Sequence, residues 1–171
     1  MSKIIEFYRG KPFVHPKGFT IDYIWGWDRD VLEQQHDYIQ WLFPLATKSA
    51  SIARSPVLTP EEIAEFRGSD ELKERLLESF SIMLEFYGLI MTEDGEITIA
   101  PSFTYTSDRW ISSGNHNYKR ISRIIKSLML LGLEEYAAAF HGILLSIYED
   151  YPEEIGKNTL EHWNRSVSPE N

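Results

Sequence analysis

The chain has 171 residues, 43% of them hydrophobic and 13% aromatic, which suits one domain of common size with its own apolar core. A formal charge of −9 works against non-specific attraction to nucleic acid or anionic lipid, and the absence of cysteine excludes disulfides, thiol nucleophiles and thiolate-held metal centres. No apolar run approaches the ~20 residues of a membrane-spanning helix, and Met1-Ser2-Lys3-Ile4-Ile5-Glu6-Phe7 lacks the apolar core of a signal peptide, so a soluble, cytoplasmic chain is expected.

In chain order, residues 2–9 read as a short helix with Ile4, Ile5 and Tyr8 on one side. Pro12, Pro16 and Gly18 mark a loop, and Thr20 is placed to cap a short turn through Ile24. A long first helix is expected from Asp28 or Asp30 to Pro44, because Val31, Leu32, Gln35, Tyr38, Ile39 and Leu42 share a face at helical spacing. Its last segment, Tyr38-Ile39-Gln40-Trp41-Leu42-Phe43-Pro44, is apolar on both sides, as in burial between layers.

Residues 46–58 read as a polar loop. Thr59-Pro60-Glu61-Glu62 combines a capping threonine, a proline suited to the first helical position and a glutamate that completes a capping box; this helix stops at Gly68. Ser69 starts the next, in which Leu72, Leu76, Phe80, Met83, Leu84 and Tyr87 form a stripe ended by Gly88. Asp94-Gly95 between two β-prone arms predicts a hairpin over residues 89–99. Residues 100–114 read as irregular. Helices follow over 115–131 and about 134–148, and Ile155, Leu160 and Trp163 are expected to dock a final short piece. The fold class is therefore mostly α: a single-domain helical bundle over residues 1–165 with one small hairpin, and a frayed tail over residues 166–171.

Charge is unevenly placed. Residues 59–96 hold eleven acids against three bases, whereas residues 109–131 hold Arg109, Lys119, Arg120, Arg123 and Lys126 and no acid. His116 and Asn117 open the same helix, where free backbone amides favour anions. This block is a candidate site for a carboxylate, a phosphate or an acidic peptide; the plainer alternative is a solvated, salt-bridged face. It is too small, in too acidic a chain, to argue for nucleic acid. His36 and Gln40 lie one helical turn apart beside the aromatic run, so with Trp41 they form a second candidate set. The histidines show no metal-binding spacing, glycine-rich phosphate loops are absent, and no serine has a nucleophile context. No catalytic residue, metal or cofactor is expected.

The run His36-Asp37-Tyr38-Ile39-Gln40-Trp41-Leu42-Phe43-Pro44 resembles the hallmark of the opioid growth factor receptor conserved domain. Phe7-Tyr8-Arg9, Leu58-Thr59-Pro60-Glu61-Glu62-Ile63, Leu84-Glu85-Phe86-Tyr87-Gly88 and Asn115-His116-Asn117-Tyr118-Lys119-Arg120-Ile121 resemble further segments of it, in order, across roughly residues 5–148. The resemblance is to a compact member of the kind found in microbes, without the long polar tail. It implies a receptor-type regulatory role. The animal receptor is described as binding the pentapeptide met-enkephalin and acting at the nucleus, and it is unrelated to the classical membrane opioid receptors. The resulting expectation is a non-enzymatic ligand- or peptide-binding domain, cytoplasmic or nuclear-associated, with His36, Gln40, Trp41, Arg109, His116, Asn117, Lys119, Arg120 and Arg123 as ligand-binding residues. Its rivals are an enzyme holding a phosphorylated or nucleotide-like substrate on the basic helix, and a pure interaction module, including a homo-oligomer.

Overall fold

A computed structural model describes residues 2–50, 52 and 54–168. The chain is mostly helical with one two-stranded antiparallel ribbon, in agreement with the expected fold class. Its contacts divide it into two units: residues up to Ser79 with Leu130–Gly132, and Phe80–Met129 with the residues from Leu133 on.

The first unit opens with α1 (Lys3–Tyr8), whose N-terminus is capped by Ser2 Oγ accepting the Ile5 N–H at 3.2 Å. It buries Ile4, Ile5, Phe7 and Tyr8. The Tyr8 hydroxyl donates to the Leu42 carbonyl and lies 3.1 Å from Ser79 Oγ, which accepts the Trp25 indole N–H at 2.9 Å. Burial pushes the Tyr8 phenol well above its ordinary value, so it stays a donor. Next, α2 (Ile21–Trp25) is capped by Thr20 as its sequence indicates, and α3 (Arg29–Gln34) by Asp28, which accepts the Val31 N–H at 3.0 Å.

The expected long helix to Pro44 does not form. The chain turns extended at Gln35 and restarts as α4 (Ile39–Leu42). Two side chains take the backbone groups that a continuous helix would use. The Tyr38 hydroxyl donates to the Leu32 carbonyl at 2.7 Å, and His15 Nε2 bonds the Asp37 carbonyl at 3.2 Å. The whole run Tyr38–Pro44 is buried even so. After it, Leu45 and Val57 form an isolated parallel bridge across the expected loop.

In α5 (Pro60–Arg67) both halves of the capping box are present: Thr59 Oγ1 accepts the Glu62 N–H at 3.2 Å, and Glu62 Oε2 accepts the Thr59 N–H at 2.8 Å. Ser69 Oγ likewise caps α6 (Asp70–Phe86) by accepting the Leu72 N–H at 3.2 Å. The first unit buries Leu72 and Leu76 of this helix; the second buries Phe80, Met83, Leu84 and Phe86.

In the second unit, β1 (Leu89–Met91) pairs with β2 (Ile97–Ile99) in the register Leu89↔Ile99, Ile90↔Thr98, Met91↔Ile97. Gly95 makes the turn at φ +85°. Residues read as irregular contain α7 (Phe103–Trp110), which buries Thr106, Ser107 and Trp110 on one side. The Trp110 indole N–H donates to the Tyr87 carbonyl at 3.2 Å and ties α7 to the end of α6. Gly88, at φ +78°, sits under α7: a Cβ there would lie 2.7 Å from Phe103 Cα and collide with Thr106 Oγ1. Then come α8 (Asn117–Leu130), α9 (Glu134–Asp150), α10 (Pro152–Ile155) and α11 (Lys157–Ser166). Phe140 of α9 meets Phe80 edge-on at 5.3 Å, and the Trp163 indole N–H of α11 donates to the Tyr118 carbonyl at 3.2 Å. Ser166, assigned above to a frayed tail, ends α11 and is buried; the rest of that tail from residue 169 lies outside the described residues.

Candidate functional site

The helix break in the first unit creates the recess with the most site-like chemistry. His15, in the loop before α2, is buried at 2% exposure. Its ring stacks on Phe19 at 5.1 Å and meets Trp41 at 5.3 Å and Phe7 at 6.3 Å. Its Nδ1 accepts the Lys17 N–H at 3.1 Å, so Nε2 carries the proton and donates to the Asp37 carbonyl. Burial holds the imidazole below its ordinary pKa and keeps it neutral.

Beside this ring lies an open cleft of about 400 Å³ lined by His15, Pro16, Lys17, Asp37, Trp41, Ile52 and Arg54. Trp41, itself 4% exposed, forms its aromatic wall. Lys17 Nζ pairs with Asp37 Oδ2 at 2.8 Å, while Asp37 Oδ1 is buried with no hydrogen-bond partner among the described residues. Arg54 is exposed at the cleft.

Of the candidate set beside the aromatic run, Trp41 lines this cleft; His36 and Gln40 do not. His36 is exposed, and Gln40 is buried with its Oε1 lacking a hydrogen-bond partner among the described residues. Sequence reasoning missed His15, Lys17, Asp37 and Arg54 as site residues. The His15–Asp37 contact spans 22 positions, so no local spacing announces it.

The basic block belongs to the second unit, around the start of α8. Asn117 is fully buried and acts as a hub. Its backbone N–H and Nδ2 donate to Asn115 Oδ1 at 2.9 and 3.0 Å, and its Oδ1 accepts the Tyr87 hydroxyl at 3.3 Å and Arg120 Nη1 at 3.5 Å. Arg120 is 6% exposed. Arg123 is half-buried, and burial lowers its pKa to about 10. Arg109, His116, Lys119 and Lys126 are exposed, and the Asn115 amide donates to the Arg109 carbonyl at 3.0 Å. The block thus contains two kinds of side chain: Asn117 and Arg120 packed into the unit, and Arg109, His116 and Lys119 facing solvent.

Among the described residues, no group of three or more His, Asp or Glu side chains is placed to hold a metal ion, and no helix is long and apolar enough to cross a membrane.

These features define a mostly helical domain with one ribbon and a small cleft cut beside a broken helix. The conserved region of the opioid growth factor receptor matches residues 2–170, and the chain belongs to that family. It is 41% identical over 140 residues to the opioid growth factor receptor of Mus musculus, covering 78% of this chain and 22% of that protein. With the Homo sapiens receptor it is 38% identical over 138 residues, covering 78% and 20%. With opioid growth factor receptor-like protein 1 of Xenopus tropicalis it is 32% identical over 167 residues, covering 95% and 31%. The chain therefore spans a fifth to a third of the length of these relatives. No solved structure matches it.

Proposed function

We propose that the chain is a non-enzymatic regulatory binding domain, acting in the cytoplasm, and that the Trp41 cleft of the first unit is its ligand site. The carrying observation is a recess with an aromatic wall and with Asp37 in its lining, a carboxylate whose buried Oδ1 has no hydrogen-bond partner among the described residues. A buried acceptor left without a donor costs about 1–3 kcal/mol, and a ligand donor would offset that cost. About 400 Å³ is at the small end of the usual ligand-pocket range of roughly 300–1,000 Å³. Such a space suits a small molecule or one end of a peptide. The relatives' name, receptor of a growth factor, supports the same role.

A second proposal is an acidic ligand on the basic block of the second unit. Arg109, His116, Lys119 and the half-buried Arg123 would meet a carboxylate or phosphate there, while Asn117 and Arg120 keep the start of α8 in place.

Calorimetry with a panel of short peptides, some carrying phosphate or extra carboxylates, tests both. Lys17→Gln and Arg54→Glu alter exposed side chains, so melting should be nearly unchanged while cleft ligands weaken. Lys119→Glu should weaken acidic ligands selectively. Binding indifferent to all three substitutions would refute these assignments.

A further inference from the structure

Building on the cleft reading, we infer that the Trp41 cleft is made for a zwitterion: a ligand of amino-acid type carrying a primary ammonium, a carboxylate and an apolar side chain. Its lining has one anion, Asp37, two cations, Lys17 and Arg54, and an apolar surface from Pro16, Trp41 and Ile52. A purely cationic ligand would be repelled by Lys17 and Arg54, and a purely anionic one by Asp37. A zwitterion matches both signs.

Each part of the ligand has a partner. Asp37 is half engaged, with Oδ2 on Lys17 and Oδ1 on no described residue, whereas a carboxylate offers about four acceptor positions. A primary ammonium brings three donors and makes charge-assisted bonds to it after a small turn of the carboxylate. His15 cannot supply that donor, because both ring nitrogens are already bonded. The exposed Arg54 guanidinium has the planar fork that fits a carboxylate. Lys17 is 53% exposed, and ion pairs of that kind contribute little, so it is free to turn from Asp37 towards the ligand carboxylate. The apolar side chain then lies on Trp41, Pro16 and Ile52. Phosphate monoesters provide no ammonium for Asp37, which separates this cleft from the anion reading of the basic block.

The test is calorimetry on the whole chain with phenylalanine, N-acetylphenylalanine, phenylalaninamide, N-acetylphenylalaninamide and the dipeptide Phe-Phe. Free phenylalanine or the dipeptide should bind, and the tighter of the two tells a free amino acid from a peptide end. Blocking either charge should weaken binding about tenfold or more, as expected for a lost charge-assisted bond. Asp37→Asn should abolish the penalty for acetylation, and Lys17→Gln combined with Arg54→Gln the penalty for amidation. A structural role would produce neither pattern. If the doubly blocked probe binds as tightly as the free one, the zwitterion inference is wrong, and the effect of the cleft variants on that probe decides the cleft reading. If neither free zwitterion binds, the inference is overturned, and the peptide panel with its cleft variants separately decides the cleft reading.

Discussion

Replacing His15 by phenylalanine isolates what its two ring nitrogens do. The ring contacts with Phe19, Trp41 and Phe7 are largely kept, while the bonds to the Lys17 N–H and the Asp37 carbonyl are lost. At about 0.5–1.5 kcal/mol net for each hydrogen bond, the loss should be about 1–3 kcal/mol. A pH effect accompanies it. His15 is held below the ordinary histidine value of ~6.5 by burial, so the unfolded chain takes up the proton first. The stability supplied by neutral His15 is therefore complete above about pH 6.5 and declines as pH falls towards the folded value. Urea unfolding, followed by tryptophan fluorescence at about one pH unit above and below ~6.5, measures both effects. Wild type should lose more stability on acidification than His15→Phe, and the variant should be the weaker protein at the higher pH. Equal stability there, or the same acid sensitivity in both, would refute the bonded neutral imidazole.

Gly88→Ala should be severely destabilising, by more than about 3 kcal/mol or to the point of not folding, because φ +78° is combined with a Cβ driven into α7; thermal unfolding reads this directly. Asn117→Ala removes the acceptor shared by Tyr87 and Arg120 and should cost about 2–3 kcal/mol in urea unfolding. Tyr38→Phe removes the hydroxyl that donates to the Leu32 carbonyl at the helix break and should cost about 1–2 kcal/mol, with near-native circular dichroism.

Features set by neighbours in sequence were legible. The Thr59–Glu62 capping box, the α6 stripe and the Asp94-Gly95 ribbon depend on residues a few positions apart, and all are present. The break between α3 and α4 was not, because a helical stripe cannot show that Tyr38 and His15 will claim the backbone of residues 32 and 37. Helix α7 was hidden by Thr104-Tyr105-Thr106-Ser107, weak helix formers whose buried face is stabilised by Trp110. The aromatic run pointed to Trp41, but the charged parts of the cleft come from three separate loops. On α8, sequence sets Arg120 beside the face of Lys119, Arg123 and Lys126, and helical spacing does not show which arginine is buried.

The most direct test of the central claim is a nitrogen-15 NMR titration of the whole chain with the tightest peptide or amino-acid ligand found. Ligand-dependent shifts should centre on Lys17, Asp37, Trp41, Ile52 and Arg54, with the Trp41 indole N–H among them. Shifts centred on the start of α8 instead, or spread without any focus at the cleft, would contradict the assignment of the binding site.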